Sequence, residues 1–119
     1  MTRIASCHCG AVQIEVADYP SEVTECNCSL CRSYGVIWAY YAASDVLSLP
    51  GSSLTHAYAW NGRHVDFHRC SNCCCITHWM PRDPKREQRG INARLFPADA
   101  LAAARVRHKD GANSGKYLD

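Results

Sequence analysis

Three short segments hold all nine cysteines of this 119-residue chain: Cys7-His8-Cys9, Cys26-Asn27-Cys28-Ser29-Leu30-Cys31 and Cys70-Ser71-Asn72-Cys73-Cys74-Cys75. Closely spaced thiols pair as cystines in oxidising surroundings and serve as metal ligands or redox centres in reducing ones. An odd count leaves one thiol over in any full set of bridges. The stretch from Met1 to Ser6 also lacks the apolar run of a secretory leader, so the expected setting is reducing and cytoplasmic, and the expected chemistry is zinc binding. Residues i and i+2 on a strand share a face, so Cys7 with Cys9, and Cys26 with Cys28, can each aim two sulfurs at one ion. A CxxC turn does the same where the chain reverses.

A closed tetrahedral site needs four ligands, and Cys7 and Cys9 must find their second pair far along the chain. Cys70 and Cys73 supply it as the tighter chelate; Cys74 could replace Cys73 with a longer spacer, and Cys75 could share a face with Cys73. Cys26, Cys28 and Cys31 already form a three-thiolate set, and three protein ligands with one open position is the pattern of a catalytic zinc. Two zinc ions are therefore expected, one closed and structural, the other open.

Strands must carry these groups. Val12, Ile14 and Val16 alternate with polar residues, as in a half-buried strand, and a second strand is expected over Val23 to Cys26. Gly35 to Tyr41 is a β-branched and aromatic run that suits a strand buried on both faces. Leu54, His56, Tyr58 and Trp60 alternate up to Asn61-Gly62, and Val65 and Phe67 alternate beyond it; this hairpin delivers Cys70. Strands are also expected over Ile76 to Met80 and Ile91 to Phe96, separated by the polar loop Pro81 to Arg89. Pro97 to Arg105 is the one segment with strong helix propensity. The expected fold class is thus mainly β, antiparallel, with one short helix, in a single domain over residues 1–119.

Composition narrows the partners. A formal charge of +2 gives no basic stripe for nucleic acid, and no apolar run approaches bilayer thickness. Neither nucleic acid nor membrane is expected. Arg32 and Arg69 stand beside the cysteine groups and could offset thiolate charge or hold a carboxylate. His8, His64, His68, His78 or a tyrosine could move a proton.

The motifs resemble a known family. Cys7-His8-Cys9-Gly10-Ala11-Val12, the CxCxxC of Cys26 to Cys31 followed by Arg32, the CxxC of Cys70 to Cys73, and Gly90-Ile91-Asn92-Ala93-Arg94-Leu95 resemble the glutathione-dependent formaldehyde-activating enzymes, a family that includes centromere protein V. The resemblance implies a β-tent fold, a structural zinc on Cys7, Cys9, Cys70 and Cys73, and a second zinc on Cys26, Cys28 and Cys31. It further implies a carbon–sulfur lyase, of the S-(hydroxymethyl)glutathione synthase kind, whose partners are a small thiol such as glutathione and formaldehyde or a related aldehyde. Cys74 stands where the family usually has Gly, and the chain is shorter than the named synthase. The alternative expectation is a non-catalytic zinc module for a protein or peptide partner, its second zinc closed by a fourth ligand such as His68 or Cys74.

Overall fold

The computed structural model describes residues 2–119. Strand β1 (Ile4–Ser6) and β2 (Gln13–Val16) form an antiparallel pair that β5 (Val46–Ser48) extends to a three-stranded sheet. The other strands are β3 (Glu22–Cys26), β4 (Trp38–Ala42), β6 (Thr55–Ala59), β7 (Val65–Cys70), β8 (Ile76–Pro81), β9 (Gln88–Asn92) and β10 (Arg105–Lys109). They form a seven-stranded sheet in the order β10-β3-β4-β9-β8-β7-β6. The mainly β class holds.

Alternation in the sequence decides which face each sheet buries. Ile14 and Val16 of β2, with Ala5 and Val12, pack against Val23, Ile37, Ala39 and Ile91 of the large sheet, all nearly inaccessible to water. Each such aliphatic side chain contributes roughly 1–3 kcal/mol on burial. The strand expected from Gly35 begins only at Trp38, because Gly35 caps the preceding helix, Ser29–Tyr34, in a left-handed conformation, and β4 is buried on both faces at its start. Ala39 joins this aliphatic core, while Trp38 turns to the opposite face and a second cluster with Cys31, Val36 and Trp79. Tyr40, Phe67 and Tyr34 surround that cluster. Gly90 lies across from Trp79, and a Cβ there would overlap the indole, so only glycine lets the ring lie flat on β9.

Several local expectations change. The hairpin forms, but as β6 and β7 joined through residues 60–64, with Thr55 opposite Cys70 and Ala59 opposite Asp66. The strand expected over Ile91 to Phe96 ends at Asn92, whose side chain accepts from Arg94 N–H and starts a 3-10 turn. The helix expected over Pro97 to Arg105 is α2 (Ala98–Ala103), because Arg105 leaves it to begin β10. A second helix, α1 (Ser29–Tyr34), begins inside the middle cysteine group and takes in Cys31, where no helix was expected. Cys28 is its N-cap. β10 lies parallel to β3 because α2 carries the chain back across the sheet, so the pairing is not antiparallel throughout. Among the described residues no helix is long and apolar enough to cross a membrane.

Candidate functional site

The first cysteine cluster joins the two sheets. Cys7 follows β1 and Cys9 sits in the turn before β2, while Cys70 ends β7 and Cys73 lies in the knuckle leading to β8. The turn, not a strand, brings Cys7 and Cys9 together: Gly10 N–H donates to Cys7 O at 3.1 Å and Cys7 N–H to Val12 O at 3.0 Å. The knuckle is closed by Cys74 N–H to Cys70 O at 3.0 Å and Cys70 N–H to Cys75 O at 2.9 Å. All four sulfurs lie within 4.8 Å of one another. Cys7 to Cys9 is 3.7 Å and Cys9 to Cys70 is 3.6 Å. Zinc–sulfur bonds of about 2.3 Å in a tetrahedron require sulfur–sulfur edges of about 3.8 Å, so the donor set fits such an ion.

Backbone N–H groups point at these sulfurs. Val12 N–H reaches Cys7 Sγ at 3.3 Å, and the N–H groups of Asn72 and Cys73 reach Cys70 Sγ at 3.4 and 3.5 Å. N–H groups of Cys75 and Cys9 stabilise the Cys73 thiolate and bring its pKa down to about 5, whereas burial pushes Cys7 up to about 11. One thiol is thus ready to ligate and another must shed its proton as a cation arrives. Cys75 is half-buried beside Cys73, and Cys74 is exposed.

The second cluster is local. Cys26 ends β3, Cys28 caps α1 and Cys31 lies within its first turn, and the three sulfurs fall within 4.8 Å of one another. Among the described residues no fourth His, Cys, Asp or Glu joins them. Cys31 N–H donates to Cys28 Sγ at 3.4 Å. Burial acts to raise Cys28, but this bond, with others from Cys31, Cys26 and Leu30, prevails and its pKa falls below the usual thiol value. Burial drives Cys31 up to about 12 even though the Trp38 indole N–H donates to its sulfur at 3.3 Å. Three sulfurs of unequal acidity share one point in space and suit a divalent cation as a donor set.

Two surfaces bound this triad. On one side the chain beyond β10 turns over it: a Cβ on Gly111 would overlap Cys26 Sγ, so glycine alone permits the approach. Asn27 clamps the turn by donating to Asp110 Oδ1 at 2.9 Å and accepting from Ala112 N–H at 2.9 Å. On the other side Cys26 and Cys31 open onto a cleft of about 260 Å³ edged by Arg32, Arg94 and Glu25. Arg94 Nε donates to Gly35 O at 2.7 Å, fixing its guanidinium at the rim.

The chain matches the family model for the glutathione-dependent formaldehyde-activating enzyme over residues 2–108. It belongs to that family. A crystal structure of a Rhodobacter sphaeroides protein is similar at 29% sequence identity, with a TM-score of 0.69, covering 87% of this chain and 98% of that one. Family membership carries formaldehyde and glutathione chemistry to this chain at the level of class, and the turn that covers the triad lies beyond the matched residues.

The other sequence candidates fall elsewhere. His68 and His78 stack on each other, ring centroids 4.5 Å apart and nearly parallel, with their Nδ1 atoms on Thr55 and Thr77 hydroxyls. Burial brings His78 down to about 3 and lowers His68 as well, so both rings are neutral near pH 7. His68 and Cys74, the suggested fourth ligands, belong to this stack and to the first cluster's knuckle. His64 lines a separate pocket with Trp60, Phe67, Trp79, Arg86 and Lys109. Sequence reasoning gave no site role to Asn27, Trp38, Gly111 or Arg94, although Arg94 stands in the Gly90–Leu95 segment that carries the resemblance. A Gly or Asn next to a thiol group carries no pattern of its own, and the pairing of residue 27 with residues 110 and 112 is visible only in three dimensions.

Proposed function

We propose that this protein is a zinc-dependent carbon–sulfur lyase that catalyses reversible addition of glutathione, or a similar thiol, to formaldehyde or a related small aldehyde. The observation that carries this reading is the three-sulfur set of Cys26, Cys28 and Cys31 opening onto a cleft through Cys26 and Cys31. Cys7, Cys9, Cys70 and Cys73 would hold a second zinc with a structural role. A reducing cytoplasm would keep all nine thiols free to ligate.

Zinc bound at the triad would supply a Lewis acid that favours the ionised form of an incoming thiol. A free thiol with pKa near 8.5 is only a few per cent ionised at neutral pH, so full ionisation is worth roughly thirtyfold, or ~2 kcal/mol. The residues of the chain set the stage for the addition. Cys26, Cys28 and Cys31 fix three donors from one short segment, and Trp38 N–H withdraws charge from Cys31 so that the set stays compact. The substrate sulfur forms its bond to the aldehyde carbon, the carbonyl π pair moves to oxygen, and that oxygen takes a proton. Tyr40 packs in the same aromatic cluster as Cys26 and Cys28, and burial raises its phenol and keeps it protonated, but it lines a different pocket, so the proton for that oxygen would come from water in the cleft.

Zinc quantification with NMR exchange spectroscopy of formaldehyde and glutathione tests this reading. The wild type is expected to hold two ions and to exchange hydroxymethyl groups faster than protein-free buffer. Cys28→Ser is expected to hold one ion and to return exchange to the buffer rate. Wild-type exchange no faster than buffer would sink the activity and leave a zinc module.

A further inference from the structure

The triad opens onto one described cleft. The turn at Gly111 packs against one side of Cys26, held there by both ends of the Asn27 amide, and the Trp38 indole N–H donates to Cys31. The cleft of about 260 Å³ that Cys26 and Cys31 line gives a molecule bringing a sulfur a path to these thiols. Its charged rim consists of two guanidinium groups and one carboxylate. Arg32 projects from the last turn of α1, Arg94 from the 3-10 turn after β9, and Glu25 from β3. The bond from Arg94 Nε to Gly35 O occupies one of five donors and leaves the two terminal nitrogens as a fork of the kind that grips a carboxylate at both oxygens.

We infer that Arg32 and Arg94 are specificity-determining residues, which select a thiol peptide by its carboxylates while Glu25 receives its ammonium group. The inference rests on the thiol-addition reading above and adds which residues of the cleft recognise the thiol. A tripeptide thiol with two carboxylates and one ammonium group is the charge complement of two guanidinium groups and one carboxylate. A neutral thiol of equal length finds nothing there to pair with, and two cations beside an empty cleft gain nothing from it. The groups are exposed at the rim, so the preference should weaken as salt rises.

Binding of S-methylglutathione isolates the cleft, because its sulfur carries no proton and forms no thiolate. The Trp38 indole, in contact with Cys31, offers a fluorescence signal, and calorimetry gives an independent one. For the wild type the acid form is expected to bind at least tenfold more tightly than its diethyl ester. Arg32→Gln and Arg94→Gln should each lose roughly five- to tenfold toward the acid form and little toward the ester, with zinc content unchanged. The double variant should no longer discriminate, and Arg94→Lys should recover only part of the loss, since it restores charge without the fork. Equal affinity for acid and ester in the wild type, or a double variant that still prefers the acid, overturns the inference. A wild type that discriminates but leaves formaldehyde exchange at the buffer rate upholds the cleft and removes the proposed activity instead.

Discussion

Cys74 holds a left-handed backbone, φ 64°, at the tip of the knuckle between β7 and β8. That conformation costs an L residue roughly 1–2 kcal/mol, and glycine avoids it. Cys74→Gly should therefore match or exceed the wild type in stability by up to about 1 kcal/mol, the gain being trimmed by the greater freedom of glycine in the unfolded chain. Cys74→Val, β-branched and outside its allowed region, should lose at least about 1 kcal/mol. Denaturant melts of the metal-loaded variants decide the matter; a Gly variant weaker by more than about 1 kcal/mol would mean that the sulfur itself is needed. That Cys74 stands where the family usually has Gly was legible in the sequence, but the positive φ it adopts was not, since one residue type at one position does not report its backbone angle. The two thiol groupings were legible because a chelate needs close donors, and spacing records closeness. Which residue donates to which sulfur was not, since the Trp38 bond to Cys31 depends on how β4 twists past α1.

At the scale of elements, the chain after β10 behaves as part of the site. Asp110 organises a turn through bonds from Gly115 N–H at 2.7 Å and from the Ser114 hydroxyl at 3.1 Å, and the segment then folds back so that Tyr117 pairs with Lys109 and its hydroxyl meets Thr24 at 2.8 Å. The Arg107 guanidinium lies over the Tyr117 ring at 3.9 Å. Asn27 makes the two bonds that seat this turn on the triad, each worth about 1 kcal/mol. Asn27→Ala should accordingly speed alkylation of Cys26 and Cys28 by iodoacetamide on the order of tenfold, with Cys7 and Cys70 unaffected. Peptide mapping by mass spectrometry reads both sets at once, and unchanged labelling of Cys26 would show that the turn gives no cover. Little of this element could be read beforehand. β10 and the turn have weak patterns, and their order comes from contacts with residues some eighty positions earlier. α1 was missed for a different reason, since six residues offer too few apolar positions to separate a helical period from a strand.

For the molecule as a whole, the two sulfur clusters differ in what they hold together. Cys7 and Cys9 sit in the turn between the strands of the small sheet, and Cys70 and Cys73 at the knuckle between β7 and β8 of the large one, so an ion among them would clamp one layer to the other. Cys70 is fully inaccessible and central to that clamp. Cys70→Ser should cost one bound zinc and several kcal/mol of stability, given that structural zinc contributes on the order of 10 kcal/mol. Cys28→Ser should lose one zinc and still melt cooperatively. Metal analysis with calorimetry distinguishes the two, and a Cys70 variant that keeps both ions and its melting temperature would refute the clamp. The mainly β class was legible from alternation and β-branched runs; the split into two sheets was not, because period-two patterns say which face is apolar without saying what covers it. One consequence concerns the growing polypeptide. Cys26, Cys28 and Cys31 are complete within a single short stretch, where ring closure costs little entropy, whereas the quartet waits for the sheets to meet. If both sets bind metal, uptake would have a built-in sequence: the short stretch could capture its ion during synthesis, and the last ion to arrive would be the one that locks the layers together.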